Sequence, residues 1–248
     1  MNQFSYDNIS YLEKSSYSCL SMLGWCFTLS FFPLTIFSFV VSVVLAINGY
    51  NIYEEKNPQI EIMIALGASI LSPLLFYPLL KYVVGSRSFI GLLRYLEFKK
   101  VSLILLLLVV ISTVLFEFLC DISIYIYDLP IEFLTLEMKI FANSFKNTAL
   151  VILACCVIAP TMEEMIFRGW LFRGLINKGL SSMATVGVTS ILFTLFHFQY
   201  QDAISLIFIL LYSLLLGVLR LKTANVSYTV IAHITSNSYV IFAPLWFG

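Results

Sequence analysis

Residues 101–120 read VSLILLLLVVISTVLFEFLC. A run of about 20 mostly apolar residues is the length of helix that crosses the hydrocarbon core of a bilayer, roughly 30 Å. Six more candidates flank it, at about 18–47, 59–84, 147–170, 183–199, 203–221 and 224–247. The chain has 248 residues, 60% apolar and 11% charged, with a mean hydropathy of +0.95. A soluble domain is about 45–50% apolar and about 25% charged. One soluble core of this size cannot hide so much apolar surface. The expected fold is therefore all-α, a polytopic transmembrane helical bundle of about seven spans. Eight spans follow if span one, long for a single pass, or the stretch 121–146 is divided. Fourteen basic and fourteen acidic residues leave no net charge. No broad basic patch exists for phosphate backbones, so the expected partners are membrane lipids and not nucleic acid.

The start, MNQFSYDNISYLEKSS, is polar and not basic, and the first apolar run is too long for a signal-peptide core. It reads as a retained anchor. The segment GSRSFIGLLRYLEFKK (85–100) is amphipathic and basic and reads as an interfacial piece. The five cysteines show no C-x-x-C spacing and read as small packing residues. Basic residues fall after spans two, four and six: Arg87, Arg94, Lys99 and Lys100, then Arg168, Arg173 and Lys178, then Arg220 and Lys222. The intervening loops are acidic. The positive-inside rule then gives a cytoplasmic N-terminus and an outward C-terminus. Two regions follow: 1–146, spans and loops without a motif, and 147–248, the membrane core that holds every motif below.

An ionisable residue at membrane depth is costly and is a functional candidate by default. Most charges fall in loops, and the exceptions are expected in the last hundred residues. They are Glu163, Glu164 and Arg168 in PTMEEMIFRG (160–169), His197 in FTLFHF (193–198), and His233 with Asn237 in AHITSN (232–237). Glu164 and Arg168 are i,i+4 neighbours and can pair, while Glu163 points about 100° away and stays free. The plainer alternative is a set of snorkelling juxtamembrane charges. His233 and Asn237 also share one helix face, where two polar groups can either link helices or aim at one point. If the helix carrying Glu163 runs on to Lys178 and turns at Gly179, equal counting along both limbs sets Glu163 opposite Leu195 to His197. All four groups then converge.

A free glutamate beside a histidine can hold and deprotonate a water. Histidine and asparagine donors can stabilise the oxyanion formed when water attacks a carbonyl. Those parts suit amide hydrolysis. G-x-S-x-G and H-E-x-x-H motifs are absent. Glu163, His197 and His233 could instead ligate zinc. The metal-free version is favoured because the sequence shows no acidic group beside the histidines to fix their tautomers.

At these residues the sequence resembles the CPBP family of CAAX prenyl proteases and bacteriocin-processing or immunity proteins. Glu163–Gly169 matches E-E-x-x-x-R, Phe193–His197 matches F-x-x-x-H, and His233–Asn237 matches H-x-x-x-N. The match covers roughly 147–247, and no motif residue is missing. The resemblance implies an intramembrane endopeptidase in which Glu163 activates water with help from His197. His233 and Asn237 would form the oxyanion site, and Glu164 and Arg168 would support it. It implies no cofactor or a zinc ion, and a membrane-embedded cavity open toward the cytoplasm. Substrates would be peptides or membrane proteins, prenylated or bacteriocin-type, and the setting a bacterial inner membrane. A non-catalytic immunity or scaffold role is the second reading. A proton or transport path through Glu163, His197 and His233 is the third.

Overall fold

The computed structural model describes residues 17–51, 57–129, 145–200 and 202–242. Every regular element among them is helical. In chain order these are α1 (Cys19–Ile47), α2 (Pro58–Leu71), α3 (Pro73–Val84), α4 (Phe89–Tyr95) and α5 (Leu103–Tyr127). A continuous helix α6 follows, made of Phe145–Val151, Ile152–Ile158, Ala159–Glu164, Met165–Leu171 and Phe172–Asn177. The chain ends in α7 (Ser182–Leu195), α8 (Ala203–Thr223) and α9 (Val226–Phe242). The polar start 1–16, the loop 130–144 and the end of the last span, 243–247, lie outside the described residues.

Among the described residues four helices are long and apolar enough to cross a membrane: α1, α5, α6 and α8. A fifth is gained if α2 and α3 count as one span. By length and composition this is an integral membrane protein, but the count of about seven is not reached. The reason is physical. Helix α7 has 14 residues, about 21 Å at the α-helical rise, which is short of the hydrocarbon core. Helices α2 and α3 meet at a 43° bend. Pro73, with no N–H to continue the helix, sits just after the bend at Ser72. Helix α1 is unbroken despite Pro33, so span one is not divided. Helix α5 runs seven residues past the expected end at 120.

Half of α6's apolar stretch is buried, against about a tenth of α1's. Helix α6 is thus the centre, and α1 and α5 turn Leu20, Phe27, Phe39, Leu103, Ile104 and Leu108 outward. Met165, Ile166, Phe167 and Trp170 of α6 pack with Met22 and Leu29 of α1, Phe76 and Leu80 of α3, and Leu92 and Leu96. The core therefore joins the motif-free and motif-bearing regions. After α6 the chain turns through Gly179 (φ 87°), a left-handed conformation that suits glycine. Helices α7 and α8 then approach closely at Gly217, where a Cβ would lie 2.9 Å from Val186 Cγ1.

Two π turns, Ile152–Ile158 and Met165–Leu171, flank Glu163 and Glu164. In such a turn each N–H bonds the carbonyl five residues back, and these turns gather at functional sites. The Ala159 N–H bonds the Ala154 carbonyl. The next link would join Pro160 to Cys155, but proline has no N–H. The Cys155 carbonyl is met instead by Asn237 Nδ2 from α9, at 2.8 Å. A proline in one helix thus fixes an asparagine in another.

The segment after α4 is stitched to the α8–α9 turn. The Val226 N–H donates to the Glu97 carbonyl at 3.1 Å. Asn225 Oδ1 accepts from the Lys99 N–H at 3.1 Å, and the Ser102 N–H donates to the Tyr228 hydroxyl oxygen at 2.8 Å. Arg220 pairs with the Glu97 carboxylate and donates through Nε to the Arg168 carbonyl at 2.8 Å. Arg168 is a buried structural charge, as its pairing with Glu164 implied, and Arg220 is one too, not the loop charge of the sequence reading. Burial pushes the Glu97 carboxyl up, but Arg220 beside it, with help from Lys99, more than offsets this and holds it below the usual range.

Two outcomes follow. Glu97→Gln should lower thermal stability in detergent by on the order of 1–3 kcal/mol near neutral pH. A carboxyl depressed in the folded state stabilises fully above its unfolded value, about 4.3, and less as pH falls through the folded value. The gap between wild type and variant should therefore close on acidification; an unchanged gap would contradict the ion pair. Asn237→Ala should cost about 1–3 kcal/mol by stranding the Cys155 carbonyl. Pro160→Ala restores an N–H and should recover part of that loss, which a double-mutant thermal cycle would read. Simple additivity would contradict the link.

Candidate active site

Helix α6 presents its two acids to different surroundings, as their 100° offset requires. Glu164 is wholly buried, and its Oε1 accepts from Arg168 Nη1 at 3.0 Å. The Arg168 Nη2 reaches α8, donating to the Ser213 carbonyl at 3.0 Å and to Ser213 Oγ at 2.6 Å. Its guanidinium also lies 4.5 Å from the Phe193 ring centre. Glu163 has no lysine or arginine partner among the described residues, and 31% of its side chain is exposed. Here the expected division into a paired and a free acid appears in the geometry.

The two histidines are held differently. His197 follows the end of α7, and its Nδ1 lies 2.8 Å from the Phe193 carbonyl. A carbonyl only accepts, so Nδ1 carries the proton and Nε2 is left as the acceptor in the neutral ring. His233, buried on α9, has Nδ1 at 3.0 Å from Glu164 Oε1. Its Nε2 faces Glu163 Oε2 at 3.8 Å. Glu164 is the acidic neighbour that the sequence reading did not find beside the histidines. That argument against zinc is corrected, because a carboxylate on Nδ1 is what orients a metal-binding imidazole. Geometry gives a separate answer. Among the described residues no three His, Cys, Asp or Glu side chains are grouped to hold a metal ion. Glu163, His197 and His233 do not fit zinc as they stand.

All four sequence-derived site residues line one cavity of about 550 Å³. Glu163, His197, His233 and Asn237 share it with Glu117, Tyr200, Tyr212 and Ser236. Glu163 and His197 also line a second, more apolar cavity of about 260 Å³ beside Leu29, Phe31, Met162 and Phe167. The acid and the imidazole thus stand where two cavities meet. Glu164 and Arg168 line neither.

Sequence reasoning missed Glu117. It is a buried acid in α5, within the very run that marks the first span, and the Ser236 hydroxyl bonds its Oε1. The signal was present, since an acid inside an apolar span is a candidate by itself. Tyr212 and Ser213 carry no such signal. The larger cavity reaches Gln199 and Tyr200 in the α7–α8 connection. That connection is at the opposite end of α8 from Arg220 and Lys222. A cytoplasmic basic end and a cavity open to the cytoplasm therefore pull in opposite directions.

Residues 145–239 match the family model described as Type II CAAX prenyl endopeptidase Rce1-like. An Escherichia coli protein described as "Uncharacterized 24.3 kDa protein" is 30% identical over 102 residues, which span 40% of this chain and 47% of that protein. No solved structure matches. The match takes in all three motifs and every group placed around Glu164, from Arg168 to His233. Residues 145–239 are thus similar to the Rce1-like endopeptidases, consistent with the CPBP resemblance read from those motifs.

Proposed function

We propose that the protein is an intramembrane endopeptidase that hydrolyses peptide bonds with a water activated by Glu163 and His197. The observation that carries this is the separation of the two adjacent acids: Arg168 neutralises Glu164, while Glu163 stands free in a cavity with both imidazoles. Water held by Glu163 and the His197 Nε2 gives a proton to Glu163 as its oxygen attacks the carbonyl carbon. The carbonyl oxygen gains negative charge and is met by a proton on His233 Nε2 and the second N–H of Asn237, whose first is spent on Cys155. The proton on Glu163 then passes to the departing amine, and the carbon–nitrogen bond breaks. The products are a carboxylic acid and an amine, and the acid then gives its proton to the amine to leave a carboxylate and an ammonium.

Glu164 contributes by position. With Arg168 on one side and His233 Nδ1 on the other, it favours the proton on Nδ1 and balances positive charge on the ring as the oxyanion forms. For His233 to donate through Nε2 it must hold both protons, and Glu164 supports that state.

The substrate reading is a peptide or a membrane-protein segment. The smaller, apolar cavity supports an apolar or lipid-modified residue on one side of the cut bond. With the basic ends cytoplasmic, substrate would enter from the outer side, near the α7–α8 connection.

Purified protein in lipid nanodiscs, given a peptide panel, should release fragments that mass spectrometry can map. Glu163→Ala or His197→Ala should each reduce cleavage by about 100-fold or more. Full activity in either variant, with the fold intact by thermal melt, would defeat the reading and favour a non-catalytic immunity or scaffold role. A chelator should leave cleavage unchanged; loss reversed by zinc would favour the metal version. Glu164→Gln should lower kcat more than it raises KM, because it acts through His233.

A further inference from the structure

Glu117 has no part in the reaction above, yet it is only 9% exposed and lines the same cavity. Its Oε1 is bonded by the Ser236 hydroxyl. No lysine, arginine or histidine pairs with it among the described residues, and a lone carboxylate at membrane depth is expensive unless a partner completes it. Among the described residues no lysine or arginine lines the cavity, and its acids are Glu117 and Glu163. Beside Glu117 stands Tyr212, 8% exposed, whose hydroxyl lies beside Thr113 and Ser236. The Tyr212 ring lies 5.4 Å from that of Phe116 and 6.2 Å from that of His233. Three oxygens of a carboxylate, an alcohol and a phenol therefore gather between aromatic faces. An ammonium has three donors and no acceptor, and a cation is attracted to aromatic faces. Ser236 is three residues from His233 on α9, one helical turn from the reacting groups.

We propose that Glu117, with the Ser236 and Tyr212 hydroxyls, forms a recognition subsite for a lysine or arginine side chain of the substrate, beside the bond that is cut. The subsite rests on the peptidase reading for its substrate class. It adds a requirement that the three motifs do not contain. A neutral side chain at this position leaves the Glu117 carboxylate unanswered, and so binds less well. The apolar cavity on the other side of Glu163 takes no part in this discrimination.

The test uses the full chain in nanodiscs and fluorescent peptides that differ only in lysine, norleucine or glutamate at each position around the cut bond. Affinity is read by anisotropy on Glu163→Ala, which binds without turnover, and cleavage is read on the wild type. At one position lysine should bind at least about tenfold tighter than norleucine. Adding Glu117→Gln should bring that ratio close to one, and Glu117→Lys should turn the preference toward glutamate. Tyr212→Phe, a milder change, should lower the ratio by about two- to fivefold. A lysine preference that survives Glu117→Gln and Tyr212→Phe, or none at any position, would overturn the subsite. Lysine-selective binding without wild-type cleavage would support the subsite and count against the peptidase reading. Cleavage without selectivity would do the reverse.

Discussion

The architecture around the cavity depends on one buried ion pair. Glu164 and Arg168 are both wholly buried, one helical turn apart on α6. Taking two charges out of water is costly, and hydrogen bonds to both groups offset part of that cost. Two neighbouring helices take part in them. Ser213 of α8 takes two hydrogen bonds from Arg168, and His233 of α9 meets Glu164. Arg220 then bonds the Arg168 carbonyl and carries the network to Glu97. Loss of one member of such a pair would leave an uncompensated charge, a penalty on the order of 3–5 kcal/mol. Helices α6, α8 and α9 are thereby held in register by charge.

The chemistry follows from the same pair. Because Arg168 is committed to Glu164, it leaves Glu163 alone. Because Glu164 is committed to His233 Nδ1, the other ring nitrogen is turned toward Glu163. Two adjacent glutamates of identical chemistry thus take different roles from a 100° rotation about one helix. The π turns on both sides contribute a second constraint. They shift the bonding register by one residue, so the carbonyl stranded by Pro160 is that of Cys155, and Asn237 is the group that meets it. His233 and Asn237, four residues apart on α9, are each anchored to a different part of α6.

What could be read from sequence divides along the range of the interactions. Local relations were legible: the i,i+4 pairing of Glu164 with Arg168, the free Glu163, the shared face of His233 and Asn237, and the turn at Gly179 after a long helix. Non-local ones were not. The contact of Glu164 with His233 joins residues 69 apart, and that of Ser236 with Glu117 joins residues 119 apart. No periodicity announces either. Ser236, one helical turn from His233, faces a third acid. The described helices confirm four or five spans and not about seven, since hydropathy registers apolar length and not helix breaks. Ser72–Pro73 bends one expected span, and Phe196 to Asp202 ends another after 14 helical residues. Arg220 resembled a loop charge because buried and exposed arginines look alike in a sequence.

The central claim is that the free acid, the two imidazoles and the Asn237 amide act on one carbonyl group inside the membrane. The most direct measurement is a structure of the protein with a peptide analogue whose cut bond is replaced by a phosphinate, which carries two oxygens in tetrahedral arrangement. One oxygen is expected within about 3 Å of the Glu163 carboxyl and His197 Nε2, and the other at similar distance from His233 Nε2 and Asn237 Nδ2. A phosphinate seated away from these groups, or meeting the histidines while Glu163 remains apart, would contradict the account.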